Sequence, residues 1–405
     1  MKKIKDTLGL QPIISKIILS VLFCIGLSSG LLAQKKLAVI YATNEKASIF
    51  DGNHVKVDWK LDPKQKPDIY YVNIPLKRGK VTLKTDQDRI SFNTEYGKSY
   101  DFIVLLHEKD SCFIRIAAKE VPAPFSMKFT KPYPQNIPFT LIGSRIYLQG
   151  HLNGQNAVAI QFDLGAGASC VSKAASEKLH LSFDGKAMLD NTQGVNEARV
   201  SSGNELVLGD LTWSDLPLIE VGNMKPHEDL IIGNGLFRNK IIEIDYDRKL
   251  LIVHDQLPTY LRDFKKQAVI YEQDRPKIQA NIIQNGKKHS FWFLFDTGRD
   301  GTMLIGEDFT SQAQNWKNLK ELQVVNGRKI VRLDAIIAGV EFKDIVTNAA
   351  DPSNPQGRPS LFGNQLLNHF NVILDNQKGE IYLKPNNRID EPYSDYESYL
   401  KQMSK

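Results

Sequence analysis

Two stretches of the 405-residue sequence could carry acid–base chemistry. The apolar run Ser290-Phe291-Trp292-Phe293-Leu294 reads as a buried strand and ends in Phe295-Asp296-Thr297-Gly298. Much earlier, another strand ends the same way, in Phe162-Asp163-Leu164-Gly165-Ala166. A carboxylate at the end of a buried strand is costly to leave charged, because apolar surroundings disfavour the ion and offer it few partners. Two such sites in one chain predict two carboxylates brought together. Like charges at hydrogen-bond distance cannot both ionise, so the pair shares one proton. The ionised member can take a proton from water, and the protonated member can donate to a carbonyl oxygen. The pair titrates as a unit, so neither Asp163 nor Asp296 is given a separate role. Taken singly, each Asp has a simpler reading, as the cap of a turn.

The elements that must position these two residues form an internal repeat. The first copy spans about 139–257 and the second about 267–386. Each has an Asn-Gly turn before its Asp, at Asn153-Gly154 and Asn285-Gly286. Each then has Leu208-Gly209 or Ala338-Gly339, and Ile231-Ile232-Gly233-Asn234 or Leu361-Phe362-Gly363-Asn364. Each closes on Ile244-Asp245 or Leu374-Asp375, followed by an apolar strand. Gly209 lies 46 residues after Asp163, and Gly339 lies 43 after Asp296. For Gly233 and Gly363 the separations are 70 and 67. Shared order and near-equal spacing predict duplication. Strands and turns dominate both copies. Short helices are expected at Leu236-Phe237-Arg238-Asn239, at Gln365-Leu366-Leu367-Asn368 and over 173–179. Asp245 and Asp375 read as turn residues.

With these landmarks in place, residues 139–386 resemble the aspartic proteases, closest to the bacterial retropepsin-like group of secreted proteins. Asp296-Thr297-Gly298 matches the family's Asp-Thr-Gly, and Asp163-Leu164-Gly165-Ala166 matches its Asp-Thr-Gly-Ala except at Leu164. Ile231-Ile232-Gly233 and Leu361-Phe362-Gly363 correspond to its late hydrophobic-hydrophobic-glycine element. The resemblance implies a mostly β fold, a two-lobed double β-barrel, with lobes at 139–260 and 261–390 and a tail at 391–405. It implies Asp163 and Asp296 as the catalytic residues, facing across a cleft, with Gly165, Ala166, Thr297 and Gly298 as supporting loop residues. Glycine lets each loop turn sharply and bring its amides to the carboxylates. In the family the threonine after each Asp locks the two loops together. Thr297 can do this, and Leu164 has no hydroxyl with which to do it. Arg299 stands where the family has a small residue. A guanidinium beside the pair favours two ionised carboxylates, unless Arg299 points outward or pairs with Asp300. Residues 191–202 are a flap candidate by position.

The rest of the chain bounds the context. Lys2, Lys3 and Lys5 precede the uncharged, mostly apolar run 17–33, the pattern of a signal peptide cleaved after Ala33. An uncleaved anchor is the alternative. Phe23 before Cys24 argues against a lipoprotein signal, which has a small residue there. The leader holds Lys2, Lys3, Lys5 and Lys16 against Asp6, so it accounts for three of the six net positive charges. The remainder is too small to imply nucleic acid. Cys112 and Cys170 remain after the leader; a disulfide between them stays open, but they make no disulfide framework. Export with so few cysteines fits a periplasm or cell surface. Residues 34–120 alternate in and out as short strands, giving a small β-sandwich-like N-terminal domain. Proline-rich 121–138 reads as a linker.

The eight histidines show no metal-binding spacing, and Gly167-Ala168-Ser169 is not a nucleophile elbow. Walker and dinucleotide-binding loops are absent from the sequence, so no cofactor and no metal are expected. Cys170 reads as a buried small residue rather than a thiol nucleophile. The expectation is an exported, monomeric aspartic endopeptidase that cuts an extended peptide or protein substrate, with no membrane contact beyond the signal segment. Leu164 and Arg299 keep a second reading open, a catalytically inactive fold that binds a peptide or protein partner in the cell envelope. A third is an envelope structural protein whose N-terminal domain does the work.

Overall fold

A computed structural model of the chain describes residues 37–51, 54–72, 79–119, 125–154, 156–191, 194–312, 314–325, 328–354 and 357–404. The expected signal segment at 1–33, and Pro122 and Pro124 of the expected linker, lie outside the described residues. The protein is mostly β, with short helices between strands.

Residues 37–119 form two four-stranded sheets. One runs Ala38–Ala42, Ser99–Leu106, Asp110–Ala117, Asp68–Tyr71, and both of its outer pairings are parallel. The other runs His54–Lys60, Lys46–Asp51, Gly79–Lys84, Arg89–Thr94 and is antiparallel. Alternation sends Ile40, Phe102 and Ile114 of the first sheet and Ile49, Val81 and Leu83 of the second into one shared core. That core is separate from the core of the rest of the chain, which begins at Ile137.

The described part of the proline-rich stretch is built into the body. Ser126–Phe129 pairs with Leu211–Ser214. Strand Gln135–Ile142 then pairs with Leu250–Val253 through its first half and with Arg145–Leu148 through its second. The change of partner falls at Pro138 and Phe139. Proline cannot donate to a ladder and is tolerated where pairing is being exchanged.

From residue 145 the strand pairings occur twice. In the first copy Arg145–Leu152, Asn156–Phe162, Leu230–Ile232, Cys170–Ser172, Leu211–Val221 and Gly194–Leu208 pair in that order, and the last pairs back with the first. In the second copy the equivalent ring is Arg275–Gln284, Lys287–Asp296, Leu361–Gly363, Met303–Ile305, Val340–Ala349 and Arg328–Ile337. Parallel and antiparallel pairings fall at the same places in both rings. A third, antiparallel sheet draws strands from each copy, in the order Gln135–Ile142, Leu250–His254, Ile241–Asp245, Phe370–Asp375, Glu380–Pro385, Lys265–Glu272. Its central pair, Ile241–Asp245 with Phe370–Asp375, joins the copies. One continuous hydrophobic core runs through both.

Local chemistry accounts for the hairpins. Asn153 and Gly154 have φ of 52° and 83°, and Asn285 and Gly286 have 49° and 72°, the doubly left-handed turn that asparagine and glycine tolerate best. Asp245 accepts from the Arg248 amide, and Asp375 from those of Gln377 and Lys378. Helix Lys173–Lys178, a 3₁₀ turn at Asn234–Phe237 and helix Asn364–Leu367 lie close to the expected positions. Three further helices, Glu307–Thr310, Asn315–Asn318 and Tyr396–Met403, were not expected from the sequence. The last lies in the stretch read as a tail. Its N-cap Asp395 accepts from Ser398, and Tyr396, Tyr399, Leu400 and Met403 share one face, though none of its residues is fully buried. Among the described residues no helix is long and apolar enough to cross a membrane.

Candidate active site

Each Asp stands where a strand of its ring ends. Asn156–Phe162 lies between an antiparallel neighbour, Arg145–Leu152, and a parallel one, Leu230–Ile232. The Asp163 amide donates to Ile232 O at 2.9 Å, and the chain then turns, with Ala166 N on Asp163 O at 3.1 Å. Lys287–Asp296 is held likewise between Arg275–Gln284 and Leu361–Gly363. The late glycines have a steric reason. A Cβ on Gly233 would sit 2.1 Å from Ala166 O, and one on Gly363 would sit 2.3 Å from Gly301 O. Only a residue without a side chain lets each Asp loop cross so closely.

The structure brings Asp163 and Asp296 together: the Gly298 amide donates to Oδ1 of both. Asp163 Oδ1 accepts from Gly165 N at 2.7 Å and from Gly298 N at 3.1 Å. Asp296 Oδ1 accepts from Gly298 N at 3.0 Å and from Arg299 N at 2.9 Å. Both side chains keep some exposure to solvent within a dense protein surround. That surround raises both above the ordinary carboxylate range. Asp163 is raised well above it, first by burial and then by the charge of Asp296. Burial also raises Asp296, but the positive charge of Arg299 opposes it. The two acids titrate as a pair, and Arg299 draws the negative charge towards Asp296.

Thr297 is fully buried and ties the two loops together. Its hydroxyl donates to Phe162 O at 3.1 Å and accepts from Leu164 N at 2.9 Å. Leu164 makes no return bond through its side chain and lies instead in the hydrophobic core. The first copy grips the second loop in another way. Arg145 Nε and Gln161 Nε2 both donate to Gly298 O, at 2.7 and 3.0 Å. Asp300 accepts from the amide and hydroxyl of Ser144, at 3.1 and 2.8 Å.

Two further residues complete this bracing. Asn234 and Asn364, each directly after a late glycine, are buried. Asn234 donates to Asp274 O at 3.0 Å, and Asn364 donates to Ser144 O. Asp274 and Ser144 occupy equivalent turns, so each copy braces the other through the same amide. The sequence displayed these two asparagines at matched positions. That match was the signal, although their role was not read from it.

Arg299 neither points away from the pair nor ion-pairs with Asp300. Its side chain is largely buried beside Asp296, and its Nε is buried with no hydrogen-bond partner. Burial lowers its affinity for a proton, Asp296 restores part of it, and Arg328, Arg358 and Arg145 lower it again through like charge. Arg328 opens the return strand of the hairpin formed by Glu321–Val325 and Arg328–Ile337. This is the second copy's equivalent of the hairpin Gly185–Asn191 and Gly194–Leu208, which contains the flap candidate. Residues 192 and 193, at the tip of that first hairpin, lie outside the described residues. The second hairpin went unread in the sequence. Val324 and Val325 beside its tip are exposed.

Cys112 and Cys170 are both buried free thiols, which answers the open disulfide. Burial and the charge of Asp163 push the Cys170 thiol up to about 12, so it stays protonated and is a poor nucleophile. Among the described residues no three His, Cys, Asp or Glu side chains group as metal ligands. Comparison with protein-family models and with curated protein sequences finds no match to this chain.

Proposed function

We propose that this protein is an exported aspartic-type endopeptidase, its two strand rings being the two lobes of a duplicated, retropepsin-like double barrel. The observation that carries the reading is the side-by-side pair Asp163 and Asp296, one from each copy, sharing the Gly298 amide and both held above the ordinary carboxylate range. In the proposed reaction a water between the carboxyls attacks the scissile carbonyl carbon. Its proton passes to the ionised carboxylate, Asp296, towards which Arg299 biases the charge. The proton on Asp163 passes to the carbonyl oxygen, giving a neutral tetrahedral diol. Collapse of the diol breaks the C–N bond, with a proton delivered to the leaving nitrogen. The amides of Gly165, Gly298 and Arg299 hold the carboxylates in place without being titratable.

An extended substrate suits the hairpins. Among the described pairings Gly185–Asn191 and Glu321–Val325 each have one strand neighbour, leaving an edge that can pair with a peptide backbone. Leu164 and the buried Arg299 favour the second reading, a peptide-binding fold without turnover. One experiment separates the two. Unfolded casein is incubated with wild type and with Asp296→Asn at steps from pH 3 to pH 8. Cleavage by wild type that disappears in Asp296→Asn supports the peptidase. Wild type without cleavage at any pH refutes it and leaves the binding module.

A further inference from the structure

The peptide unit between Gly298 and Arg299 is held at both ends. It is trans and planar, so its C=O and N–H point opposite ways. Its oxygen accepts from Arg145 Nε at 2.7 Å and from Gln161 Nε2 at 3.0 Å. Its N–H donates to Asp296 Oδ1 at 2.9 Å. Two donors on the oxygen fix where the N–H points. A cationic donor there also polarises the amide and strengthens the bond at its far end. Both donors come from the first copy, and the acid they reach belongs to the second.

The repeat contains its own comparison. In the first loop the equivalent amide, that of Ala166, donates to the backbone oxygen of Asp163 at 3.1 Å instead of to a carboxylate. Gln161 lies two residues before Asp163; two residues before Asp296 stands Leu294, which is buried and has no donor. Arg275 opens the strand equivalent to that of Arg145, but its Nε and Nη2 bond Glu272, at 3.1 and 2.9 Å. Among the described residues no side chain donates to Gly165 O. The amide turns to the carboxylate only in the loop whose carbonyl is gripped.

We infer that Arg145 and Gln161 are positioning residues, which act through the 298–299 peptide to make Asp296 rather than Asp163 the ionised member of the pair. Gln161 carries no charge, so its effect runs through the hydrogen bond alone. The charged and titratable neighbours in the loops are Asp163, Arg299 and Asp300, the last held by Ser144. On the strand side, Tyr147 donates to Glu228 at 2.6 Å and stands 3.1 Å from His227 Nε2, and Cys170 lies near Asp163. Arg299 favours the same member by its charge. The inference rests on the peptidase reading for what the ionised acid does, whereas which acid ionises is measured without turnover.

The test follows the carboxyl carbons of carbon-13-labelled aspartate by NMR from pH 3 to pH 8 in the full-length protein. The two signals are identified by their loss in Asp163→Asn and Asp296→Asn. In wild type the first ionisation of the pair should fall mainly on Asp296. Arg145→Met should raise that step by about one pH unit and spread it over both signals. Gln161→Leu, which places there the residue type of the second copy, should move it the same way by less. Arg145→Lys keeps a cationic donor and should retain the wild-type titration. Where casein is cut, the acidic limb of kcat/KM should move with the titration while KM stays. A first step on Asp163 in wild type overturns the inference, as does a step unmoved in Gln161→Leu, since a shift in Arg145→Met alone is charge acting through space. Should Arg145→Met fail to fold, Gln161→Leu decides. Wild type that titrates as expected but never cuts casein refutes the peptidase and leaves this inference standing.

Discussion

The amide of Gly298 donates to the carboxylate of Asp163 at 3.1 Å, and a Cβ built on Gly298 would stand 2.2 Å from Asp163 Cγ. The glycine of one loop is thus the wall against which the other loop's acid rests. Gly165 faces Asp296 in the same way, with its Cβ position 2.7 Å from Asp296 Cγ. Each acid fills the space its partner's glycine leaves.

Gly298→Ala is therefore expected to push Asp163 out of line and reduce any cleavage by at least about 100-fold, since small misplacements of reacting groups are costly. Gly222→Ala is the control, because a Cβ there meets nothing within 4 Å. Casein turnover checks both. Comparable activity in the two variants would contradict the close approach of the loops.

Asp163→Asn should make the protein more stable at neutral pH. In the unfolded chain Asp163 titrates near the ordinary value of 3.8, and in the fold it is raised well above that. Between those values the native state binds more protons, so stability falls as pH rises through the raised value. Below 3.8 both states are protonated and the penalty is absent. The variant's advantage should be greatest at neutral pH and above. It should shrink towards acid. Thermal melts of both proteins across pH 3 to 8 would show it, and a variant less stable at pH 7 would count against the buried, shared proton.

Arg299→Ala should move the acidic limb of a pH–activity profile upward. The Arg299 charge lowers the proton affinity of Asp296, so its removal delays ionisation of the pair to higher pH. A shift of about one pH unit is expected for loss of an adjacent charge. Arg299→Lys keeps the charge and should keep the limb. An unmoved limb in the alanine variant would mean that solvent screens Arg299 from the pair.

Thr297→Val removes both hydroxyl bonds that tie the loops and leaves the buried Leu164 amide without its acceptor. The expected loss is about 2–4 kcal/mol by urea unfolding, from a buried group left unsatisfied together with a lost bond. Thr297→Ser should recover most of it. If valine and serine behaved alike, the loop lock would lie elsewhere, with Arg145 and Gln161 on Gly298 O as the next candidates.

Where local chemistry decides, the sequence was readable. Asn153-Gly154 and Asn285-Gly286 announced hairpins because few other residues accept two successive positive φ values. Asp163 and Asp296 announced themselves as strand-end acids followed by glycine, and the matched Gly233 and Gly363 marked a second crossing of the same loops. Periodicity gave the alternating strands of residues 37–119. The helix Tyr396–Met403 was missed, although Tyr396, Tyr399, Leu400 and Met403 repeat at helical spacing, because the stretch is short and reads as a tail.

The sequence by itself determined that two equivalent acids lie on two equivalent turns of a duplicated β chain, since turn geometry, burial and repetition are written in neighbouring residues. Only the tertiary structure decided that Arg299 stays against Asp296 instead of pairing with Asp300, and that Arg145 reaches Gly298 O from the other copy. Those side chains meet across strand pairings that close rings over tens of residues, and which loops a ring brings together depends on global packing. A local pattern cannot encode it.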